Sequence, residues 1–326
     1  MFRFPALPLI LFFLVALMWS CLPYSATISV LEPAQHTLPQ AVQRISILPV
    51  PGYFSRPGVF DSLSHVILDP KTDIKEIKMG YLHGMYDIIS QSPRFDKVVF
   101  ADTSYYKNRL MWEDVDEICR HDTTDALLIL SKAVSYDAIN KYYFFDNNES
   151  YSHSQYKILT NSKWVLYMPK RESVVGVYEF SDTLKVEGFF GPSNLESVLY
   201  DACYMSGQSS ARKLSPYWKD VQRYFYPGPG SGMRKAARLV MKDQWGEAAS
   251  IWNSLSEGDN KTIAGRASFN IALAYERDDM LDQATLWAAY ADSLANDNNM
   301  DIYRKLLMIR MNIRDRLKEQ MNGTEK

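Results

Sequence analysis

The sequence predicts an α+β (or α/β) sandwich domain followed by an all-α helical-repeat domain, and three observations carry this. Between Thr27 and Tyr226, short β-branched runs alternate with stretches whose apolar residues recur every three or four positions. At Tyr226-Pro-Gly-Pro-Gly-Ser-Gly232, two prolines and three glycines interrupt any regular element. Beyond that point the pattern is helical and repeats after 36 residues. A length of 326 residues fits about two domains, and 47% hydrophobic content is ample for packed cores. The expected boundaries are 1–20 for a signal peptide, 21–226 for the α/β domain, 227–232 for a linker and 233–326 for the repeats.

In the first domain, Thr27–Leu31 and Arg44–Leu48 read as strands closed by Pro33 and Pro49. Ile74, Ile77, Tyr81, Leu82, Met85, Ile88 and Ile89 form one helical stripe, which Ser92-Pro93 stops. Lys97–Phe100 reads as a buried strand, Trp112–Cys119 as a helix and Ala126–Leu130 as another strand. Lys163–Met168 and Ser173–Phe180 flank Pro169-Lys-Arg-Glu172 as a hairpin. Helical spacing resumes over Leu195–Tyr204 and again after Ser215-Pro216. The glycines at 228, 230 and 232 lack the spacing and the Lys-Ser/Thr pair of a nucleotide loop, so a turn or linker is expected there.

In the second domain, aligning Ala248 with Ala284 brings the turns Lys242-Asp-Gln244 and Arg277-Asp-Asp279 into register. Small residues at fixed offsets let helices approach closely. This part resembles the tetratricopeptide repeat, although Asp243 and Asp279 stand where that repeat's turn has Gly, and its final Pro is missing. A last helix carries Ile302, Leu306, Ile309, Ile313 and Leu317 on one face, which suits a cap on a short stack. A generic helical bundle is the plainer alternative.

Arg3 precedes the apolar run Leu7–Trp19, which ends in Ser20-Cys21. That run is an export-signal core, too brief for a comfortable membrane span. The cysteine that follows resembles the lipobox of bacterial lipoproteins, with Met18 and Trp19 departing from the usual Leu and small residue. The resemblance implies a mature chain that starts at a lipidated Cys21, held to a membrane by lipid in the bacterial cell envelope, at the outer membrane. A signal-anchor or plain secretory peptide is the alternative. Together with Ile28-Ser-Val-Leu-Glu-Pro-Ala34, the Leu195–Arg223 region and Asn270-Ile-Ala-Leu-Ala-Tyr275, the whole resembles an uncharacterised family of bacterial envelope lipoproteins. Its members join an N-terminal α/β domain to C-terminal tetratricopeptide-like repeats. The first domain is also similar, more distantly, to the α/β domain of the curli secretion-channel lipoprotein and of the activator lipoproteins of penicillin-binding proteins.

Chemistry-bearing motifs fail one after another. A net charge of −2 without a basic tract gives nucleic acid phosphates no footing. His36, His65, His83, His121 and His153 form no helical metal pair, and no Cys pair has zinc spacing. No Gly-x-Ser-x-Gly elbow occurs. Cys119-Arg-His121 reads as a core thiol on the face of Trp112, Val115 and Ile118, and Glu113, Asp114, Asp116 and Glu117 as a solvated helix start. Apart from Cys21, the only cysteines are Cys119 and Cys203, which fit one disulfide or two buried thiols. No catalytic residue, metal ligand or cofactor is assigned.

Two candidate contact regions remain. Lys141–Tyr151 groups Tyr142, Tyr143, Phe144 and Phe145 beside polar turn residues, either as aromatics for glycan or cell-wall contact or as a strand entering a turn at Asp146-Asn-Asn148. In the repeats, Arg266, Phe269, Leu273, Glu276 and Arg277 would line a groove for a protein partner. The leading expectation is therefore a non-enzymatic, lipid-anchored interaction or assembly factor. A glycan-binding module is second, and an enzyme with a site built from scattered residues is third.

Overall fold

The computed structural model describes the backbone of residues 24–49, 54–56, 59–60, 66–68, 71–72, 75–102, 110–146, 149–187, 195–295 and 297–321, and the side chains of 24–49, 75–102, 110–136, 157–185, 196–295 and 297–321. It is a mixed α and β structure with a helical C-terminal part. Two compact units emerge, Leu31–Trp218 with Arg316–Lys326, and Met1–Val30 with Lys219–Asp315. The boundary expected at residue 226 thus falls at 218, because the first strand and the residues after Trp218 share a core with the helices.

The chain opens with β1 (Ser25–Glu32), which pairs within the helical unit. The α/β unit is built on β2 (Arg44–Pro49). Short strands β3 (Phe54–Arg56), β4 (Val59–Phe60), β5 (Val66–Leu68) and β6 (Lys71–Thr72) precede helix α1 (Lys75–Ile89) and strand β7 (Lys97–Phe100). Helix α2 (Trp112–Asp122) leads into β8 (Ala126–Asp146), β9 (Glu149–Met168) and β10 (Ser173–Glu187), and α3 (Leu195–Leu214) follows. The sheet runs β10-β9-β8-β2-β7. β2 is parallel to both β7 and β8, whereas β8, β9 and β10 form an antiparallel meander.

Alternation along β2 sets the layers. Ile45 and Ile47 point into a core that includes Ile77, Tyr81 and Met85 of α1 and Leu199 and Cys203 of α3. On the opposite face, Leu48 meets Val115, Ile118 and Cys119 of α2, and Ser46 Oγ donates to Asp122 at 2.7 Å. The crossover from β2 to β7 therefore carries α1 on one face, and the crossover from β7 to β8 carries α2 on the other. α1 and α3 touch backbone to backbone. A Cβ on Gly84 would run into the Tyr204 carbonyl, and one on Gly80 would lie 2.6 Å from that of Tyr200. Only glycine permits so close a crossing.

Two readings of the sequence need correction here. The strand read over Ala126–Leu130 continues to Asp146, paired with β9 across a bulge between Leu130 and Lys132 that puts its two parts out of phase in the sequence. The residues after Pro216 form strand β11 (Tyr217–Tyr224) rather than a helix. The helical spacing of Trp218, Val221 and Phe225 yields to the ladder offered by β1, where Thr27 faces Gln222 and Ser29 faces Asp220 in antiparallel sense.

The helical unit adds α4 (Ser231–Val240), α5 (Trp245–Ser256), α6 (Lys261–Arg277), α7 (Leu281–Leu294) and α8 (Asn298–Met321). The hairpins α4–α5 and α6–α7 repeat their geometry at an offset of 36 residues. Gln244 N donates to Leu239 O and Met280 N to Tyr275 O, each at 2.9 Å. Asp243 and Asp279 both sit in the left-handed region, at φ 59° and 55°. Met233 and Phe269, Ala236 and Ala272, and Ala248 and Ala284 occupy matching buried places. Residues 227–232 lie inside this unit rather than between units.

Candidate functional site

The five residues expected to line a groove do not line an open one. Phe269 is 2% exposed, and it packs edge-on against Tyr226, with ring centroids 5.0 Å apart, and against Tyr303 at 4.8 Å. Leu273 is fully buried in the same core. Glu276 is buried too, where Arg223 grips it bidentately, with Nη2 to Oε1 at 2.8 Å and Nε to Oε2 at 3.0 Å. Arg310 Nη1 reaches Oε1 at 3.0 Å, and Tyr303 Oη donates to Oε2 at 2.9 Å. Arg266 donates to Gly228 O at 3.2 Å and covers the Tyr226 ring. Exposed Arg277 stacks over Trp245 and pairs with Asp278. The reason is local: β11 and its following loop lie along α6 from one side, and α8 closes from the other. The chain fills its own groove.

This closure also turns α8. Its buried stripe is Met300, Tyr303, Leu307 and Arg310, because Tyr303 and Arg310 are drawn to the Glu276 carboxylate. Of the stripe expected to face the stack, Ile302 at 50% and Ile309 at 60% exposure point outward, while Leu306, Ile313 and Leu317 are half-buried. On α7, Leu286 at 72% and Tyr290, one turn later, are likewise exposed.

In the α/β unit, the carboxyl ends of β2 and β7 enclose a cavity of about 440 Å³. Ile47 and Pro49 come from β2, Phe100 and Ala101 from β7 and the residue after it, and Lys75, Lys78, Met79, Leu82 and His83 from α1. Phe100 is held by stacking on Tyr86, with centroids 4.6 Å apart. His83 Nδ1 is 2.9 Å from Tyr200 Oη. After β2 the chain stays in the sheet, where β3 and β4 continue the parallel pairing with β8. The sequence reading passed over the residues that line the cavity. The β–α–β alternation from Arg44 to Phe100 was the available signal.

Other singled-out residues fall as follows. Cys21 lies outside the described residues. Tyr142, Tyr143, Phe144 and Phe145 lie in β8, in register with His153 to Ser150 of β9, and their side chains are outside the described set. Cys119 and Cys203 are buried thiols, not joined in a disulfide, in cores on opposite faces of the sheet. Burial pushes the Cys119 thiol up to about 11. Among the described residues no group of His, Cys, Asp and Glu is arranged to hold a metal ion, and no helix is long and apolar enough to cross a membrane.

The profile of the domain of unknown function DUF8603 matches residues 59–226, just over half the chain, and that of the domain of unknown function DUF6340 matches residues 234–313. No curated protein matches. Among solved structures, a neuraminyllactose-binding hemagglutinin homolog from Helicobacter pylori aligns at 10% identity and a TM-score of 0.28, over 56% of this chain and 89% of that one. The PelC dodecamer from Paraburkholderia phytofirmans aligns at 9% identity and a TM-score of 0.23, over 57% of this chain and 98% of that one.

Proposed function

The chain belongs to the DUF8603 family, and we propose that it is a lipid-anchored protein of the bacterial cell envelope, at the outer membrane, acting without catalysis as an interaction or assembly factor. The signal-like run before Cys21 supports the anchor. We read the helical unit as tetratricopeptide-like, which the matching turns and burial at an offset of 36 residues support.

One observation carries the functional reading. With the inner side of α6 filled by Tyr226 and Tyr303, the exposed Ile302 and Ile309 of α8 and the Leu286–Tyr290 pair of α7 offer apolar surface to a protein partner. Leu286→Asp combined with Ile309→Asp, both at exposed positions, should leave the melting temperature unchanged and remove the protein that copurifies from envelope membranes. Unchanged copurification would overturn this reading. Cys21→Ser should end lipid labelling and release the chain to the soluble envelope fraction. An unmodified Cys21 in the wild-type protein by mass spectrometry would refute the anchor.

A further inference from the structure

We propose that the basic cavity between the last turn of α3 and the end of α8 binds a phosphoryl group, with the guanidiniums of Arg212 and Arg316 holding its oxygens. The cavity lies wholly within the unit formed by Leu31–Trp218 and Arg316–Lys326, so the proposal does not rest on the reading of the helical unit.

Charge comes first. Arg212 and Lys213 of α3, Arg316 of α8, Tyr217 at the start of β11 and residues 33–35 line a cavity of about 420 Å³. Lys213 is partly neutralised, since Asp182, outside the lining, lies 3.8 Å from its Nζ. The two arginines are not. Among the described residues no carboxylate pairs with either: Arg212 lies over the Tyr217 ring at 5.7 Å, and Arg316 Nη2 donates to Gln35 O at 2.7 Å. Cations in the last turn of a helix offset its dipole, which accounts for Arg212 and Lys213. It does not account for Arg316, which a different helix brings to the same cavity.

Fixity comes second. Gln320, one turn beyond Arg316 and buried, donates to Ala34 O at 3.1 Å and accepts from Ala34 N at 2.9 Å. His36 N donates to Lys213 O at 2.8 Å. These bonds tie the end of α8 and the segment after β1 to the end of α3 before a ligand arrives, so binding orders little that is not already ordered.

The donors then select the ligand. A guanidinium presents a planar fork that takes two oxygens of one anion. One fork uses up both oxygens of a carboxylate, whereas a phosphoryl group has three and admits a second fork. A volume of about 420 Å³ falls within the ~300–1,000 Å³ typical of small-molecule sites and exceeds a bare phosphate, which leaves room beside Tyr217 for an ester substituent.

The test is calorimetric titration of the full chain with inorganic phosphate, glycerol 3-phosphate and sodium acetate. Glycerol 3-phosphate should saturate one site per chain, phosphate should compete for it, and acetate should bind at least tenfold more weakly. Arg212→Gln with Arg316→Gln should weaken glycerol 3-phosphate at least tenfold at an unchanged melting temperature. Should the pair disturb folding, Arg316→Gln alone, at an exposed position, should still weaken it at least threefold. Arg234→Gln with Lys235→Gln, an equal loss of charge at exposed positions of α4, should leave binding as in the parent. Dihexanoyl phosphatidic acid, kept below its micelle concentration, distinguishes the sources of the group. Binding tighter than glycerol 3-phosphate assigns a lipid head, and weaker binding assigns a soluble ester. The proposal is overturned if glycerol 3-phosphate does not saturate one site, or if the Arg316 variant binds it as the parent does. It is also overturned if acetate matches it, or if the α4 variant loses as much, which would mean attraction by net charge alone.

Discussion

A single carboxylate, Glu276, explains why several side chains of the helical unit sit where they do. Buried without its two arginines it would cost several kcal/mol; with them, it holds β11 and α8 against α6. Phe269 belongs to that same packing. Phe269→Ala should lower unfolding free energy by ~3–5 kcal/mol, read from a denaturant titration, because a ring between two tyrosines leaves a cavity that helices cannot close. A loss below ~1 kcal/mol would mean that the ring is not core. At the amino end of β2, Asp125 shows a different balance. Burial pushes its carboxyl upward, but the Arg44 guanidinium at 2.8 Å and the backbone N–H groups of Gln43 and Arg44 outweigh burial and hold it below its ordinary value. A carboxylate depressed in the folded state adds stability above its unfolded pKa of about 3.9, and that contribution disappears as pH falls through the folded value. Asp125→Asn should therefore destabilise the protein at pH 7 and flatten the acid limb of its stability profile below about pH 4. A variant with an unchanged acid limb would contradict this.

Among the elements, the α1–α3 crossing makes the sharpest demand on sequence. Gly84→Ala forces a methyl group into the Tyr204 carbonyl, so it should destabilise by ~1–3 kcal/mol despite alanine's better helix propensity. The same change at Gly246, which has open space around it, should be neutral or mildly stabilising. Thermal melts of the two variants side by side test the contrast. The spacing of Gly80 and Gly84 was visible in the sequence, yet its meaning required the partner helix. Helices α1 and α2 were legible nearly to the residue, because one buried face imposes one period, whereas β7, expected to be buried, is the half-exposed edge of the sheet, with Phe100 43% exposed. Strand β8 was legible at both ends, as Ala126–Leu130 and as the strand entering the turn after Asp146, but not as one strand through the bulge between. β11 was not, since a partner nearly 200 residues away decided its state. The stripe on α8 shows the deeper limit: periodicity reveals that Ile302 and Ile309 share a face, while a buried Arg310 decides that this face turns outward. The cavity at the ends of β2 and β7 escaped for a related reason, because Ile47, Met79 and Phe100 meet only when parallel strands align.

For the whole molecule, the proline- and glycine-rich stretch 227–232 is an internal joint of the helical unit. The Asn270 side chain accepts from Tyr226 N at 2.9 Å and donates to Tyr226 O at 2.8 Å, and Arg266 holds Gly228 O. Limited proteolysis should accordingly spare this stretch. A first cut between Pro227 and Gly232 would show that these pins do not hold in solution.

The pairing of β1 with β11 also sets an order of events. A chain emerging amino end first presents β1 long before its partner exists, with Thr27 and Gln222 separated by 195 positions. Closing so long a loop is entropically costly until other structure shortens it. The sheet bounded by β2 and β10, with its helices, lies wholly between those two strands in sequence. Its folding brings their ends near one another before they pair. The helical unit is thus completed last, and β1 waits, unpaired, as the final piece to be seated.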